Sequence, residues 1–481
     1  MTLAGAAARG AVTTLGAQWV RFAVQLAAIA ILARLLEPGD FGLISMTTAI
    51  IGFAVVIGDF GLSMASIQAV EATHRQRSNL FWLNTALGLI LAGVILLAAP
   101  LIADFYGTPE LTDVTRVLAT VFVLNAISAQ FRAEASRHLR FAWLASADVV
   151  APVLGLAGAI VVALLGGAYW ALVAQQVIIA VATFILLVAS ARWMPGWPSF
   201  REPMKPLLSF GANTLGVQVL TYLSSNVDSI LIGRFWGASA LGYYDRAFQL
   251  FRMPLVQLAS PLTRVAFPTL SRLQDDPPRF DRYLVRAHTL LMYVMGGGFL
   301  LVAVAADPII EIVLGPNWNE AKPILAVLAV GGVFQAAGYV YFWAFLAKGR
   351  TGLQLRFSLV GRSLMVMAIV VGVFWGPLGV ALGSALGLLL NWLVLTVFAM
   401  PRLGIDLRAL LTVSARAGAV LAAAAVFGLP VGMLTEALPA WVRLSLIVSA
   451  SLLGASAVVA LVRPIRNDVA AIFETVRSLR R

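Results

Sequence analysis

Cysteine is absent from the 481 residues, and only 12% of them are charged. The lack of cysteine excludes disulfide bonds, cysteine-ligated zinc, iron–sulfur clusters and thiol catalysis. Soluble domains are about a quarter charged and about half apolar, whereas this chain is 60% hydrophobic with a mean hydropathy of +0.91. Such a chain cannot cover itself with polar side chains in water. The composition therefore excludes soluble enzyme folds and indicates a polytopic membrane protein.

Lysine and histidine are also scarce. Lysine occurs only at Lys205, Lys322 and Lys348, and none of the three lies in a Walker A pattern. The three histidines are scattered, and no HExxH motif, GxSxG motif or metal-ligating spacing appears. We therefore predict that the chain is not an enzyme and carries no metal or other cofactor.

Long apolar stretches dominate what is present. A membrane-spanning helix needs about 20 mostly apolar residues, and the sequence contains fourteen such stretches. Several are joined by tight turns, at residues 37–40, 166–167 and 376–377. The pattern predicts an all-α membrane protein with spans at residues 11–35, 41–68, 79–104, 111–131, 143–165, 167–190, 207–235, 239–270, 286–305, 322–346, 355–375, 377–399, 410–430 and 441–462.

Charge alternates between successive short loops. Loops after even-numbered spans carry arginine and lysine, as at residues 75–77, 132–140 and 272–282, whereas the loops after odd-numbered spans are acidic or neutral. Cytoplasmic loops of membrane proteins carry an excess of Lys and Arg. We therefore predict that both termini are cytoplasmic, and that the net charge of +12 reflects topology and not nucleic-acid binding.

The two halves of the chain resemble each other. Residues 14–18 match 214–218, Arg34 matches Arg234 and Gly42 matches Gly242, and weaker matches continue in the same order with a slowly drifting offset. The repeated unit has six spans, so both copies have the same orientation, as in the parallel repeats of transporters. The predicted domains are an N-lobe over 1–200 with spans 1–6, a C-lobe over 201–405 with spans 7–12, two added spans over 406–462 and a basic tail over 463–481. The tail is either an interfacial amphipathic helix or a solvated segment.

Polar side chains occur inside several spans, where each is costly unless it faces a cavity or a partner. Span 8 also has prolines at 254, 261 and 268, which free backbone carbonyls and bend a helix. We expect a cationic cavity between the lobes, in which arginines bind a phosphate group through two parallel hydrogen bonds. The expected substrate contacts are Gln18, Arg21 and Gln25 in span 1, Gln218, Tyr222 and Asn226 in span 7, and Arg246, Gln249 and Arg252 in span 8.

Three acidic residues are candidates for ion coupling or for a gate: Asp59, Asp228 and Asp245. The alternatives are that Asp59 caps or pairs locally, and that Arg246 pairs with Asp245 or Asp228 inside the bundle. A proton gradient, a sodium gradient and the membrane potential all stay open as the driving force.

Five segments resemble Wzx-type polysaccharide exporters. The first contains Gly58-Asp59-Phe60-Gly61-Leu62-Ser63, and another is Leu241-Gly242-Tyr243-Tyr244-Asp245-Arg246-Ala247. Together the segments cover residues 42–68, 222–228, 231–235, 241–247 and 267–273.

The resemblance implies a member of the multidrug/oligosaccharidyl-lipid/polysaccharide exporter superfamily, with two six-helix lobes and alternating access. It implies movement of an undecaprenyl-pyrophosphate-linked glycan to the outer leaflet of a bacterial inner membrane, for surface polysaccharide. Membrane lipids, a polysaccharide polymerase and glycosyltransferases are the other implied partners. Family members generally have cationic cavities, which agrees with the arginines of span 8, whereas Arg21 rests on the residue pattern alone.

Four alternatives stay open. A lipid II flippase also has two extra helices, and a drug/cation antiporter of the same fold should have acidic cavity residues. A membrane polysaccharide polymerase or ligase usually carries a large periplasmic loop, which is missing from the predicted topology. A channel or a scaffold is the remaining alternative, and the repeat disfavours it because neither needs two duplicated lobes.

Overall fold

The computed structural model describes residues 3–59, 73–138, 140–191, 193–199 and 205–478. Throughout these ranges the regular structure is helical, and they contain no β-strand. The predicted all-α membrane fold is confirmed.

The chain divides into two compact units, Met1–Gly242 and Tyr243–Arg481. The boundary falls inside one long helical stretch, close to the point where predicted spans 7 and 8 meet. Span 7 therefore packs with the first six spans, although it belongs by its sequence to the second repeat. The predicted domain limits, which follow the repeat, stay a prediction.

The described residues of the first unit form six helices and the beginning of a seventh. α5 packs against both α1 and α6, and α3 packs against α4. The helices are α1 Leu3–Leu35, α2 Pro38–Asp59, α3 His74–Tyr106, α4 Leu111–Arg137, α5 Phe141–Leu164, α6 Trp170–Ser190 and α7 Lys205–Arg272.

The second unit contains the rest of α7 and the helices that follow it. In this unit α12 packs against α13, α13 against α11, and α15 against α16. Short π-helical turns, Met292–Gly296 and Leu395–Ala399, join α8 to α9 and α13 to α14. The helices are α8 Pro277–Leu291, α9 Gly297–Val304, α10 Ala306–Val313, α11 Ala321–Ala347, α12 Thr351–Gly372, α13 Gly376–Val394, α14 Met400–Arg402, α15 Leu407–Leu434, α16 Ala440–Leu461 and α17 Arg463–Ser478.

Ten helical stretches of the described chain are long and apolar enough to cross a membrane. One of them, Thr351–Arg402, contains both predicted spans 11 and 12. Span 2 is missing from this set and partly lies outside the described residues. Spans 7 and 8 are missing as well, because the polar side chains of α7 lower its hydropathy.

Glycines mark the sharp turns of the chain. Gly166 and Gly376 have φ angles of 79° and 74° at two of the predicted turns, which are confirmed. Gly237 interrupts α7 with φ 82° and ψ −178°. Residues with a side chain rarely adopt such a φ angle, so Gly237 lets spans 7 and 8 follow each other without a loop.

The outer surface of the helices is apolar. Leu97, Leu165, Leu434 and Leu461 are each more than 80% exposed. In water such a surface would drive aggregation, whereas in a bilayer the lipid chains solvate it. The exposed leucines therefore agree with the membrane environment inferred from the composition.

Candidate functional site

The first turn of α2 crosses α7 next to its break at Gly237. A methyl group on Gly42 would overlap the carbonyl oxygen of Ala238, and a methyl group on Gly242 would overlap the carbonyl oxygen of Pro38. Between these two contacts, a Cβ atom on Gly39 would lie 3.2 Å from Ser239 Oγ. The two backbones therefore touch directly, and only glycine permits this approach.

The crossing joins equivalent positions of the two sequence repeats. Pro38, Gly39 and Gly42 lie 200 residues before Ala238, Ser239 and Gly242, which is the offset of the repeat in this part of the chain. Each copy thus presents the same positions to the other, as at an interface with two-fold symmetry. The glycine pair, which the sequence suggested only as a repeat signal, has a packing function.

Asp40 lies within the same crossing segment. Its Oδ2 atom accepts a hydrogen bond from the Glu37 backbone N–H at 3.0 Å. Burial raises the pKa of the Asp40 carboxyl above its ordinary value, although backbone N–H groups of Glu37 and Tyr169 partly oppose the shift.

The polar residues in the first half of α7 bond to the protein itself. The Tyr222 hydroxyl donates to the carbonyl oxygens of Thr48 at 3.0 Å and Ala49 at 3.1 Å. Gly52 leaves room for the phenol ring, because a Cβ atom there would overlap it. Tyr222, predicted as a substrate contact, therefore ties α7 to α2.

The neighbouring polar residues of this half also have partners inside the unit. Asn226 Nδ2 donates to the Tyr222 carbonyl oxygen at 2.8 Å. Asp228 is only 6% exposed, and its Oδ1 atom accepts the Ser229 backbone N–H at 2.8 Å. Gln218 is half-buried. Gln218, Tyr222 and Asn226 follow one another at every fourth position of α7, and their contact with a substrate stays a prediction.

The three candidates of α1 differ in exposure. Arg21 and Gln25 are exposed, whereas Gln18 is half-buried. Among the described residues, no carboxylate lies within ion-pair distance of Arg21. A role of Arg21 as an anion ligand stays a prediction.

The first candidates of the second unit form a pair. Arg246 Nη2 lies 2.5 Å from Asp245 Oδ2, and both side chains are largely buried. Of the two alternatives for Arg246, the intramolecular ion pair is the one present here. Its charge is thus at least partly neutralised, as is that of Asp245.

Farther along α7, Arg252 differs from Arg246. It is exposed and precedes Pro254 by two residues, and no carboxylate of the described chain forms an ion pair with it. Its guanidinium interacts electrostatically with the Tyr339 hydroxyl. The Gln249 Oε1 atom, almost one turn earlier, is buried and has no hydrogen-bond partner among the described residues.

The side chain of one candidate and part of one family-like segment lie outside the described part of the chain. Asp59 is the last residue of α2, and its side chain lies outside the described side chains. The continuation of its motif, Phe60 to Gln68, lies outside the described residues as well. A role of Asp59 in gating or coupling stays a prediction.

Sequence reasoning missed several ion pairs. Arg132 Nη1 lies 2.9 Å from Asp148 Oδ1 in the first unit. In the second unit, the buried Arg443 lies 2.9 Å from Asp307 and 2.6 Å from Glu311. The sequence did contain a signal for these pairs. Asp148 is the single charged residue of predicted span 5, and Arg443 is the single charged residue of predicted span 14.

No group of three or more potential metal ligands of the His, Cys, Asp and Glu types comes together in the described part of the chain. The arginine, amide and tyrosine side chains among the candidate residues can form hydrogen bonds, and the arginines can compensate negative charge. Arginine and amide groups of this kind suit an anionic ligand with hydroxyl groups.

The sequence from residue 31 to 323, more than half of the chain, matches the family described as polysaccharide biosynthesis protein. The chain belongs to this family. The lipopolysaccharide biosynthesis protein WzxC of Escherichia coli (strain K12) is 27% identical over 80% of this chain and 79% of its own length. The predicted resemblance to Wzx-type exporters is thereby confirmed.

Solved structures with low sequence identity share the fold of this polysaccharide biosynthesis protein. The lipid II flippase MurJ, in an inward closed conformation, matches with a TM-score of 0.71 at 13% identity, over 93% of this chain and 99% of that one. A multidrug resistance MATE family transporter of the MOP superfamily matches with a TM-score of 0.61 at 16% identity, over 82% and 96% of the two chains. The predicted superfamily fold is confirmed.

Proposed function

We propose that this protein is a flippase that moves an undecaprenyl-pyrophosphate-linked oligosaccharide from the cytoplasmic to the periplasmic leaflet of a bacterial inner membrane. Family membership and the transporter fold support a transport role in polysaccharide biosynthesis rather than an enzyme. The movement proceeds by alternating access, and its product supplies surface polysaccharide synthesis. A polymerase and glycosyltransferases act on either side of this step.

The observation that supports the substrate class is that Arg252 is exposed and has no ion-pair partner among the described residues. A lipid-linked pyrophosphate brings about two negative charges into a region where an unpaired charge is very costly. The transporter must compensate these charges with cations that are not already paired. Among the described residues of α7, Arg252 meets this requirement, whereas Arg246 is held by Asp245.

The proposed binding residues follow from this argument. Arg252 contacts the pyrophosphate, with Arg21 as a second cation and Arg246 as a reserve that must first leave Asp245. The amides of Gln18, Gln25, Gln218 and Gln249 contact sugar hydroxyls, together with Tyr222 and Asn226 where their present bonds permit. Asp59, Asp228 and Asp245 are the candidates for ion coupling.

Purified protein in liposomes tests the proposal directly. We expect a polyprenyl-pyrophosphate-linked oligosaccharide, placed in one leaflet, to become accessible to a membrane-impermeant glycosidase in the other. Protein-free liposomes and an Arg252→Ala variant serve as controls. Movement of lipid II alone would assign the chain to the alternative flippase class, and export of an organic cation alone would assign it to the antiporters.

The orientation belongs to the same proposal and is tested separately. A reporter that is active only in the periplasm should work when fused near Gly107, Gly315 or Glu436. It should be silent near Arg77, Arg140, Gln274 and Arg481. Activity at any two of these four positions would contradict the fourteen-span topology.

A further inference from the structure

A cavity of about 690 Å³ lies inside the second unit. Its walls come from the end of α7, from α8, from the end of α11, from the beginning of α15 and from the tail helix α17. Most of the lining is apolar and includes Leu262, Leu290, Val413 and Ile472. Ligand pockets in proteins typically enclose about 300–1,000 Å³, so the cavity has the size of a binding site.

Two arginines line this apolar space. Arg286 is exposed and has no carboxylate partner among the described residues. Arg416 is about one-third exposed, and its Nη1 atom lies 3.3 Å from Asp468 Oδ1. With two arginines and one aspartate, the lining carries a net positive charge next to apolar walls.

The tail helix closes the cavity on one side. α17 packs against α8 and α16, and Ile465 at its beginning is only 2% exposed. Ala471 and Ile472 line the cavity, whereas Arg463 and Arg466 are exposed. The described part of the tail is therefore a docked amphipathic helix, and the Arg416–Asp468 pair helps to hold it in place.

We propose that this cavity binds one anionic phospholipid, with an acyl chain among the apolar residues and the phosphate at Arg286 and Arg416. The lining combines a net positive charge with a long apolar surface, which is the complement of such a lipid. Basic pockets between membrane helices on the cytoplasmic side bind anionic headgroups, and the loop charges predict this side to be cytoplasmic. None of the residues proposed to contact the transported substrate lines this cavity, so the lipid site is independent of the proposed function.

Native mass spectrometry of the delipidated full-length protein in a neutral detergent tests this site. We expect one phosphatidylglycerol to bind per chain, with phosphatidylcholine binding more weakly. Each basic residue near an anionic membrane surface contributes about 1 kcal/mol to binding, and this free energy corresponds to about a fivefold change in affinity. Arg286→Ala should therefore weaken phosphatidylglycerol binding by about fivefold. The matched control is Arg408→Ala, an exposed arginine of α15 outside the cavity, which should change nothing.

A second variant tests the contact with the acyl chain separately from the contact with the phosphate. Ala287→Trp fills the cavity from α8 without altering an arginine, and it should also weaken phosphatidylglycerol binding. Equal binding of phosphatidylglycerol and phosphatidylcholine, or equal effects of Arg286→Ala and Arg408→Ala, would overturn the proposal. Displacement by soluble glycerol phosphate, or tighter binding of a polyprenyl phosphate that Ala287→Trp abolishes, would assign the cavity to another ligand and equally overturn it.

Discussion

The two halves of α7 carry similar polar side chains but use them differently. Before Gly237, Tyr222 and Asn226 donate to backbone carbonyls within the unit, and Asp228 is buried with a backbone N–H at its carboxylate. After Gly237, Arg252 is exposed without a carboxylate partner among the described residues. A polar residue in a membrane span is therefore not by itself evidence of a substrate cavity, because backbone groups of its own helix or of a neighbouring helix can satisfy it.

Arg246 lies between these two cases. It belongs to the second half of α7, yet it is paired with Asp245 as the residues of the first half are paired with their own neighbours. The comparison thus predicts that substitutions of Tyr222 in the first half mainly lower stability, and that substitutions of Arg252 in the second half mainly lower transport. Asp228 is the exception in the first half, because it is also a candidate for ion coupling.

The largest effect is expected where α2 crosses α7. Gly42→Val places a branched side chain on the Ala238 carbonyl oxygen, so the two backbones must separate. Overpacking in a core typically costs about 1–3 kcal/mol, and a backbone cannot yield as a side chain can. We expect loss of both thermal stability and transport, measured by melting of purified protein and by flipping in liposomes. Gly16→Ala, at an α1 position with open space around it, is the matched control. Normal melting of Gly42→Val would contradict the close crossing.

The second effect is confined to transport. Arg252→Ala should lower the flipping rate by about tenfold to a hundredfold, because a hydrogen bond to a charged group contributes about 1.5–3 kcal/mol. Its level in the membrane and its melting temperature should stay unchanged. Arg252→Lys should recover only part of the activity, since lysine keeps the charge and loses the planar fork. Normal flipping by the alanine variant would transfer the role to Arg21 or Arg246.

Ion coupling tests whether the first half of α7 is purely structural. Asp228→Asn keeps an acceptor for the Ser229 N–H but cannot exchange a proton or hold a sodium ion. We expect flipping driven by an imposed ion gradient to slow several-fold, with stability preserved. Unchanged rates under proton and sodium gradients would remove Asp228 from the coupling mechanism and leave it a structural residue.

Tyr222→Phe should lower the stability of the protein slightly without a strong loss of transport. The variant loses the bonds to Thr48 and Ala49 while the ring still fills the space beside Gly52. Hydrogen bonds between membrane helices contribute about 0.6 kcal/mol on average, so a small drop in melting temperature is expected. A strong loss of flipping without loss of stability would instead make Tyr222 a substrate contact.

The smallest effect is expected at Asp40, and it depends on pH. Because burial raises the folded-state pKa of this carboxyl, the folded protein holds the proton more tightly than the unfolded chain does. Charged Asp40 is then mildly destabilising at neutral pH, and this penalty disappears as the pH falls through the folded pKa. Asp40→Asn should therefore melt slightly higher than the wild type at neutral pH, with the difference shrinking on acidification. A difference that grows on acidification would have the wrong sign.

Much of the fold was predictable from the chain alone. The apolar stretches determined the class, since a membrane helix must satisfy its own backbone hydrogen bonds and expose apolar side chains to lipid. The repeat offset identified Gly42 and Gly242 as equivalent positions, and the glycines at residues 166 and 376 marked turns that the structure contains. These features are local or periodic, so they can be read without knowing which helices meet.

The partners of the polar residues were decided by tertiary structure. Sequence spacing placed Tyr222 and Asn226 on one face of a helix, but only packing of α7 against α2 directs the Tyr222 hydroxyl to the Thr48 carbonyl oxygen. The same holds for Arg443 with Glu311 and for Arg132 with Asp148, which join segments separated along the chain. A hydrogen bond or an ion pair between helices forms only where atoms of the two helices are placed to within a few tenths of an ångström. Composition and periodicity, which determined the membrane class and the helices, carry no information at that scale.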